Sequence, residues 1–128
     1  MIDDEPMIGV MLRRLLAAHC DVLPVTSPRE ALRRIAAQER FDAILCDLMM
    51  PRMTGIEFFA ELSVLSPEMA RRTGFLTGGA VTSQARRFMQ EHAELTLEKP
   101  VELGKLRAFV RMLADRGLEG MPASKRLG

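Results

Sequence analysis

The amino-acid sequence predicts an α/β domain in which a doubly wound, five-stranded parallel sheet carries five helices on its two faces. Two features of the chain predict this class. Short apolar runs alternate with longer segments of helical period, which is typical of successive βαβ units. The chain has 128 residues, of which 48% are hydrophobic, and this is enough for the core of one ordinary domain. We therefore expect a single sheet packed between helices.

The predicted strands are five short apolar runs, at residues 1–2, 22–25, 43–46, 74–76 and 95–97. The first run is much shorter than the roughly five residues of an ordinary strand, because only two residues precede Asp3. We therefore expect a truncated first strand. We expect either that this chain is less stable than one extended upstream of Met1 by a few apolar residues, or that it forms a homodimer that covers the gap, and both alternatives stay open.

The predicted helices are five amphipathic segments, at residues 8–16, 28–36, 54–65, 82–92 and 103–116. Ser27 and Thr54 each stand three residues before a glutamate, so each predicts a capping box at the start of its helix. The periodicity stops after Arg116, where Gly, Pro and Ser accumulate. We therefore predict a folded domain over residues 1–116 and a tail or linker over residues 117–128.

Composition excludes several classes of function. The net charge of +1 gives no bulk attraction to nucleic acid or to an anionic membrane. No apolar run approaches the ~20 residues of a membrane span, and the acidic start is unlike a signal peptide. Cys20 and Cys46 stand in apolar surroundings and are typical of reduced thiols. We therefore expect a cytoplasmic protein that contacts neither nucleic acid nor membrane directly.

Functional side chains follow four of the five predicted strands. Asp3 and Asp4 follow the first, Asp47 the third, Thr77 the fourth and Lys99 the fifth. Parallel strands end at one edge of the sheet, where open α/β folds bind ligands. In the order 2-1-3-4-5 of flavodoxin-like folds, the first and third strands are neighbours, so the carboxylates meet.

Carboxylates held together repel one another unless a cation compensates them, and oxygen-only ligands suit Mg²⁺. A cation, the Lys99 ammonium and the Thr77 hydroxyl would together neutralise phosphoryl oxygens, which is most of what phosphoryl transfer requires of a protein. The carboxylate of Asp47 would then be the nucleophile.

Taken together, these residues resemble the receiver domain of two-component response regulators. The resemblance runs from residue 2 to about residue 116 and rests on four motifs, which are Ile2-Asp3-Asp4-Glu5-Pro6, Asp47-Leu48-Met49-Met50-Pro51-Arg52-Met53-Thr54-Gly55, Leu76-Thr77-Gly78-Gly79 and Glu98-Lys99-Pro100. It implies that Asp47 accepts a phosphoryl group from the phosphohistidine of a histidine kinase, with Mg²⁺ as cofactor.

The same resemblance implies a role for each residue around Asp47. Asp4 would ligate Mg²⁺ directly, Asp3 through a water molecule, and Met49 through its backbone carbonyl. Thr77 and Lys99 would hold the phosphoryl oxygens, and the peptide bond from Lys99 to Pro100 would be cis.

The resemblance implies a signalling module and no free-standing enzyme beyond self-catalysed phosphotransfer and autodephosphorylation. The stretch at residues 77–80 is most similar to receivers of hybrid sensor kinases, so we expect the fastest donor to be a kinase in the same polypeptide, upstream of Met1. A stand-alone receiver is the alternative, and the downstream protein target stays unknown. Thr96 occupies the position of the family's usual switch aromatic. We therefore expect phosphorylation to be coupled only weakly to the face formed by the last two helices, or to be coupled without a rotating aromatic side chain.

Three other classes fit less well. A phosphorylation-independent interaction module of the same fold would lack one of the acidic or lysine positions, yet all are present. A flavin-binding redox module would have a Ser/Thr-rich loop after the first strand and aromatic residues around the flavin, but acids stand there and the chain has no Trp or Tyr. A phosphatase of the haloacid-dehalogenase type would have a second acidic residue two positions after its nucleophilic aspartate, where this chain has Met49.

Overall fold

The computed structural model describes residues 1–79 and 81–116. The predicted tail at residues 117–128 lies outside this range. The described elements, in chain order, are α1 (Pro6–Leu16), α2 (Pro28–Ala36), β1 (Ile44–Asp47), α3 (Gly55–Leu65), α4 (Pro67–Arg71), β2 (Thr73–Thr77), α5 (Ser83–Glu91), a 3-10 turn (Ala93–Leu95), β3 (Thr96–Glu98) and α6 (Leu103–Arg116). The α/β class with a parallel sheet is confirmed.

Within the described residues, the sheet has three parallel strands in the order β1-β2-β3. Two further segments join it at β1 through single bridges, since Ile2 pairs in parallel with both Val25 and Cys46. The five predicted runs therefore lie in the order 2-1-3-4-5. The short first run lies inside this order and pairs on both sides, through the bridges of Ile2 and the backbone hydrogen bonds of residues 1–3.

Side chains alternate across β1 and divide the core between the two faces of the sheet. Ile44 and Cys46 belong to a cluster with residues of α2, α3, α4 and α5. Leu45 belongs to a second cluster with residues of α1 and α6. The sheet is thus covered on both faces, which leaves its carboxyl edge as the place where loops converge. None of the helices in residues 1–79 and 81–116 is long and apolar enough to cross a membrane.

Six α-helices are present within residues 1–79 and 81–116, where the sequence predicted five. The additional helix is α4, which directly follows α3. Ser66 ends α3 with an extended backbone, and its hydroxyl accepts a hydrogen bond from the Met69 N–H at the start of α4. Pro67 then occupies the first turn of α4, where no N–H donor is needed. The pair Ser66-Pro67 marks the boundary between α3 and α4, which the helical periodicity of the sequence alone does not show.

The two predicted capping boxes differ in outcome. At α3, Thr54 and Glu57 cap one another reciprocally, as predicted. At α2, the Ser27 hydroxyl accepts a hydrogen bond from the Glu30 N–H, as predicted. The predicted reciprocal bond, from the Ser27 N–H to the Glu30 side chain, is wrong. The Glu30 carboxylate instead pairs with Arg34 one turn later, at 3.2 Å.

Gly74 is required where β2 passes under α6. A Cβ atom at this position would lie 2.5 Å from two ring carbons of Phe109 and 2.8 Å from Leu113. We expect Gly74→Ala to lower the free energy of unfolding by about 1–3 kcal/mol, because the packed ring must shift. Urea unfolding measures this.

The matched control is Gly104→Ala in α6, where the new Cβ would meet only the flexible end of Glu102 at 3.2 Å. This variant should be neutral or slightly more stable, since alanine favours helix. A Gly74→Ala protein as stable as the unsubstituted chain would contradict the packing described for this contact.

Candidate functional site

Three aspartates meet at the carboxyl edge of the sheet. Asp3 and Asp4 directly follow Ile2, and Asp47 is the last residue of β1. Because Ile2 lies beside Cys46, the two segments end side by side, and one carboxylate oxygen from each aspartate lies within 4.8 Å of the others. Asp3 is buried, Asp4 is exposed and Asp47 is half-buried. The predicted meeting of the carboxylates is therefore present.

Lys99 is the cation beside this cluster. Its Nζ lies 3.4 Å from Asp3 Oδ2 and 3.8 Å from Asp47 Oδ1. The Lys99 N–H donates to the carbonyl of Thr77 at 2.6 Å, which joins the residue after β3 to the end of β2. The Lys99–Pro100 peptide bond is cis, as the resemblance implied. One ammonium thus faces two of the three carboxylates.

Asp3 is fixed from both sides. Its Oδ1 accepts from the Glu5 N–H at 2.9 Å, while its Oδ2 faces Lys99. The buried carboxylate therefore has a backbone partner and a charged partner, which is what burial of a charge requires. Sequence reasoning predicted both Asp3 and Lys99 at this edge but did not predict their direct ion pair.

The pKa of Asp47 is raised above its ordinary value. Burial is the largest cause, and the negative charges of Asp3 and Asp4 act in the same direction. The Lys99 ammonium and the Met49 N–H, which donates to Asp47 Oδ1 at 3.4 Å, act against it. Burial of Asp47 therefore outweighs the opposing effect of the Lys99 ammonium, and the neighbouring carboxylates add to the rise.

Thr77 ends β2, the strand next to Asp47. Its side chain is only 2% exposed, and Oγ1 has no hydrogen-bond partner among the residues that the structure describes. An unpaired buried hydroxyl costs about 1–3 kcal/mol. A ligand oxygen at this edge of the sheet would supply the missing partner.

The residues at this edge fit a divalent cation. The ligand atoms are carboxylate oxygens from Asp3, Asp4 and Asp47, which are the hard ligands that Mg²⁺ prefers. A cation among them would offset the mutual repulsion of the carboxylates, which adds to the effect of burial on the pKa of Asp47. Met49 is the predicted carbonyl ligand, and its described polar contact with the site is the N–H that donates to Asp47 Oδ1.

Thr96, at the predicted switch position, is tied to the end of α5. Its hydroxyl donates to the carbonyl of His92 at 3.0 Å. The His92 ring lies against Phe88 and Phe59, with ring centroids 4.4 and 5.5 Å away. Sequence reasoning did not predict this aromatic cluster, and the spacing of Phe88 and His92, four residues apart, is the signal that could have indicated it.

Comparison with known proteins gives a consistent result for family and fold. The response regulator receiver domain family matches residues 1–111. A crystal structure of a response regulator receiver domain protein from Clostridium thermocellum is similar, with a TM-score of 0.76 and 30% sequence identity. That similarity covers 90% of this chain and 91% of the other.

Two curated relatives extend the comparison. The transcriptional regulatory protein BtsR of Salmonella typhi is 32% identical over 115 residues, which are 88% of this chain and 46% of that protein. The sensory/regulatory protein RpfC of Xanthomonas campestris pv. campestris is 36% identical over 108 residues, which are 81% of this chain and 15% of that protein. This chain thus spans less than half the length of either relative.

The match over residues 1–111 covers most of the chain, and the aspartates and Lys99 lie within it at one sheet edge. The chain belongs to the response regulator receiver domain family.

Proposed function

We propose that Asp47 accepts a phosphoryl group from the phosphohistidine of a histidine kinase, with Mg²⁺ as cofactor, in two-component signalling. One observation carries the proposal: in a chain of this family, Asp47 is flanked by two further carboxylates and lies 3.8 Å from the Lys99 ammonium. This is the charge arrangement that a nucleophilic carboxylate and an incoming phosphoryl group require.

In the proposed transfer, an Asp47 carboxylate oxygen forms a bond to phosphorus as the bond from phosphorus to the kinase imidazole nitrogen breaks. The imidazole leaves with the electron pair of that bond and takes up a proton. Asp47 has an oxygen available for this attack, because its side chain is half-buried and the contacts from the Met49 N–H and Lys99 Nζ both go to Oδ1.

The metal would be held by Asp4, Asp47 and the Met49 carbonyl, with Asp3 behind through water. When bound, Mg²⁺ supplies positive charge against the carboxylates and the phosphoryl oxygens. Asp3 fits the outer position, because its two oxygens are already engaged by the Glu5 N–H and by Lys99. Asp4 fits the inner position, because its side chain is exposed.

Lys99 and Thr77 are proposed to hold the other phosphoryl oxygens. The Lys99 ammonium already lies between Asp3 and Asp47, so a small movement toward the added group exchanges one anion for another. The Thr77 hydroxyl is buried and unpaired among the described residues, so it can donate to a phosphoryl oxygen without breaking a bond. Both groups stabilise charge that develops during transfer.

For the output, we propose either regulation of a separate or attached effector or service as a phosphate sink for a kinase. The relative BtsR is a transcriptional regulatory protein and RpfC a sensory/regulatory protein, and a regulatory output agrees with both names. The free thiols of Cys20 and Cys46 favour a reducing, cytoplasmic setting. A phosphorylation-independent interaction module is the competing function, and loss of the Asp47 carboxylate distinguishes it.

Replacement of Asp47 tests the acceptor directly. With a small-molecule phosphodonor and Mg²⁺, the chain should gain one phosphoryl group, and Asp47→Ala should gain none because the nucleophile is gone. Intact-mass spectrometry measures the gain. Asp42→Ala, at the other end of the same strand segment and exposed, is the matched control and should be labelled normally. Undiminished labelling of Asp47→Ala contradicts the assignment.

Replacement of Asp4 tests the metal site without reference to activity. Calorimetric titration should show weak Mg²⁺ binding to the unsubstituted chain and none to Asp4→Ala. Without metal, Asp4→Ala should melt at a higher temperature, because one repelling charge is removed, and Mg²⁺ should reverse this order. Glu5→Ala, exposed and next in the chain, should bind Mg²⁺ like the unsubstituted chain. Equal binding by Asp4→Ala would place the site elsewhere.

Replacement of Lys99 tests charge stabilisation apart from nucleophilicity. Lys99→Met keeps the apolar stem and removes the ammonium, so phosphorylation of Asp47 should slow by about tenfold or more. Time-resolved intact-mass measurements give the rate, and circular dichroism confirms that the variant is folded. Lys105→Met, on exposed α6 surface, is the control. A folded Lys99→Met protein that is phosphorylated at the unsubstituted rate refutes the role.

A further inference from the structure

Gly78, which follows Thr77 at the end of β2, is a glycine that its own backbone does not require. Among the glycines that the structure describes, Gly79 has the positive φ that favours glycine, at 73°, and Gly78 does not. Gly78 is also exposed, so the packed core does not exclude a side chain there. The reason for a glycine at this position therefore lies with its neighbours at the sheet edge.

The neighbour of Gly78 is the side chain of Lys99. A Cβ atom built on Gly78 would lie 3.2 Å from Lys99 Cβ, 3.6 Å from its Cδ and 3.8 Å from its Cγ. The register explains this contact, because Thr77 pairs with Glu98 and the next residues along the two strands are Gly78 and Lys99. Paired residues on neighbouring strands have their side chains on the same face of the sheet. A side chain at residue 78 would therefore occupy space along the Lys99 stem.

The path of the Lys99 side chain makes this space important. Because β2 lies between β3 and β1, the stem has to cross the end of β2 to reach Asp47. Neighbouring strands lie about 4.8 Å apart, so β1 is about 10 Å from β3. The Lys99 ammonium nonetheless lies 3.8 Å from Asp47 Oδ1, and 3.4 Å from Asp3 Oδ2 in a segment still further from β3. A detour around a side chain at residue 78 would draw the ammonium back from both carboxylates.

The base of the Lys99 side chain is held in place. Its N–H donates to the carbonyl of Thr77 at 2.6 Å, which fixes the Lys99 backbone against the end of β2. A separation of 3.2 Å between two Cβ atoms is shorter than the roughly 3.5–4.0 Å at which carbon atoms attract best, so an alanine would push the stem aside by a few tenths of an ångström. A branched valine would also fill space beside Cγ and Cδ, so the disturbance should grow from alanine to valine.

We propose that Gly78 is a positioning residue for Lys99. The missing side chain leaves open the path over the end of β2 by which the ammonium reaches Asp47. This inference rests on the proposed function, since the positioned ammonium acts by neutralising phosphoryl oxygens. Gly78 itself acts only through Lys99.

Phosphorylation rates test the role of Gly78. With acetyl phosphate and Mg²⁺, Gly78→Val should react about fivefold or more slowly than the unsubstituted chain, because a misplaced ammonium stabilises less of the developing charge. Gly78→Ala should have an intermediate rate. Time-resolved intact-mass spectrometry gives the rates, and thermal melting shows whether each variant is folded.

The matched control is Gly79→Asn. A Cβ atom at this position would meet nothing within 4 Å, and asparagine tolerates a positive φ. This variant should react like the unsubstituted chain. An unchanged rate for folded Gly78→Val overturns the proposal. If valine prevents folding, the alanine variant decides, and an alanine rate equal to the unsubstituted rate overturns the proposal.

A double substitution distinguishes an effect through Lys99 from an obstructed site. The Lys99→Met chain has no ammonium to misplace, so adding Gly78→Val should slow it little further. A side chain that only blocks the phosphodonor, or that only distorts β2, would slow the Lys99→Met chain and the unsubstituted chain by the same factor. That result overturns the proposal.

A crystal structure of the Gly78→Val protein, without phosphodonor or metal, shows the geometry apart from the reaction. Lys99 Nζ should have moved away from its 3.8 Å contact with Asp47 Oδ1 by about 1 Å or more. An ammonium that keeps this contact overturns the inference. Failure of the proposed function looks different, because the unsubstituted chain itself would then take up no phosphoryl group, while the displacement of Lys99 would still be seen.

Discussion

The pairing of Ile2 with both Val25 and Cys46 is the constraint on which the acidic site depends. These two bridges place the end of a very short central segment beside the end of β1, and so place Asp3 and Asp4 beside Asp47. The hydrophobic side chain of Ile2 is buried in the core. Packing of the core therefore also brings the aspartates of the site together. Loss of this pairing would separate the carboxylates without altering any of them.

The site of the folded chain carries more negative charge than its one lysine balances. Three carboxylates share one edge with one ammonium, and the pKa of Asp47 is raised because burial and its neighbours outweigh Lys99. Sites that bind cations and phosphoryl groups are built in this way, because the ligand relieves repulsion already present in the protein. The buried hydroxyl of Thr77, which has no partner among the described residues, is a neutral group whose unmet hydrogen bond a ligand oxygen would likewise satisfy.

Much of this edge could be predicted from the sequence, because each functional residue follows an apolar run and parallel strands end together. Other features depend on distances that no local pattern encodes. The Asp3–Lys99 pair joins residues 96 positions apart. The Glu30 carboxylate had two partners within reach, its own helix cap and Arg34, and only the fold decides between them.

The most direct test is a crystal structure of this chain grown with Mg²⁺ and beryllofluoride, a stable mimic of a phosphoryl group. The account predicts the beryllium bonded to an Asp47 oxygen, one fluorine within hydrogen-bond distance of Lys99 Nζ and another within that distance of Thr77 Oγ1. It also predicts Mg²⁺ on Asp4 and Asp47. Beryllofluoride absent from Asp47, or bound there with Lys99 and Thr77 both out of contact, would contradict the account.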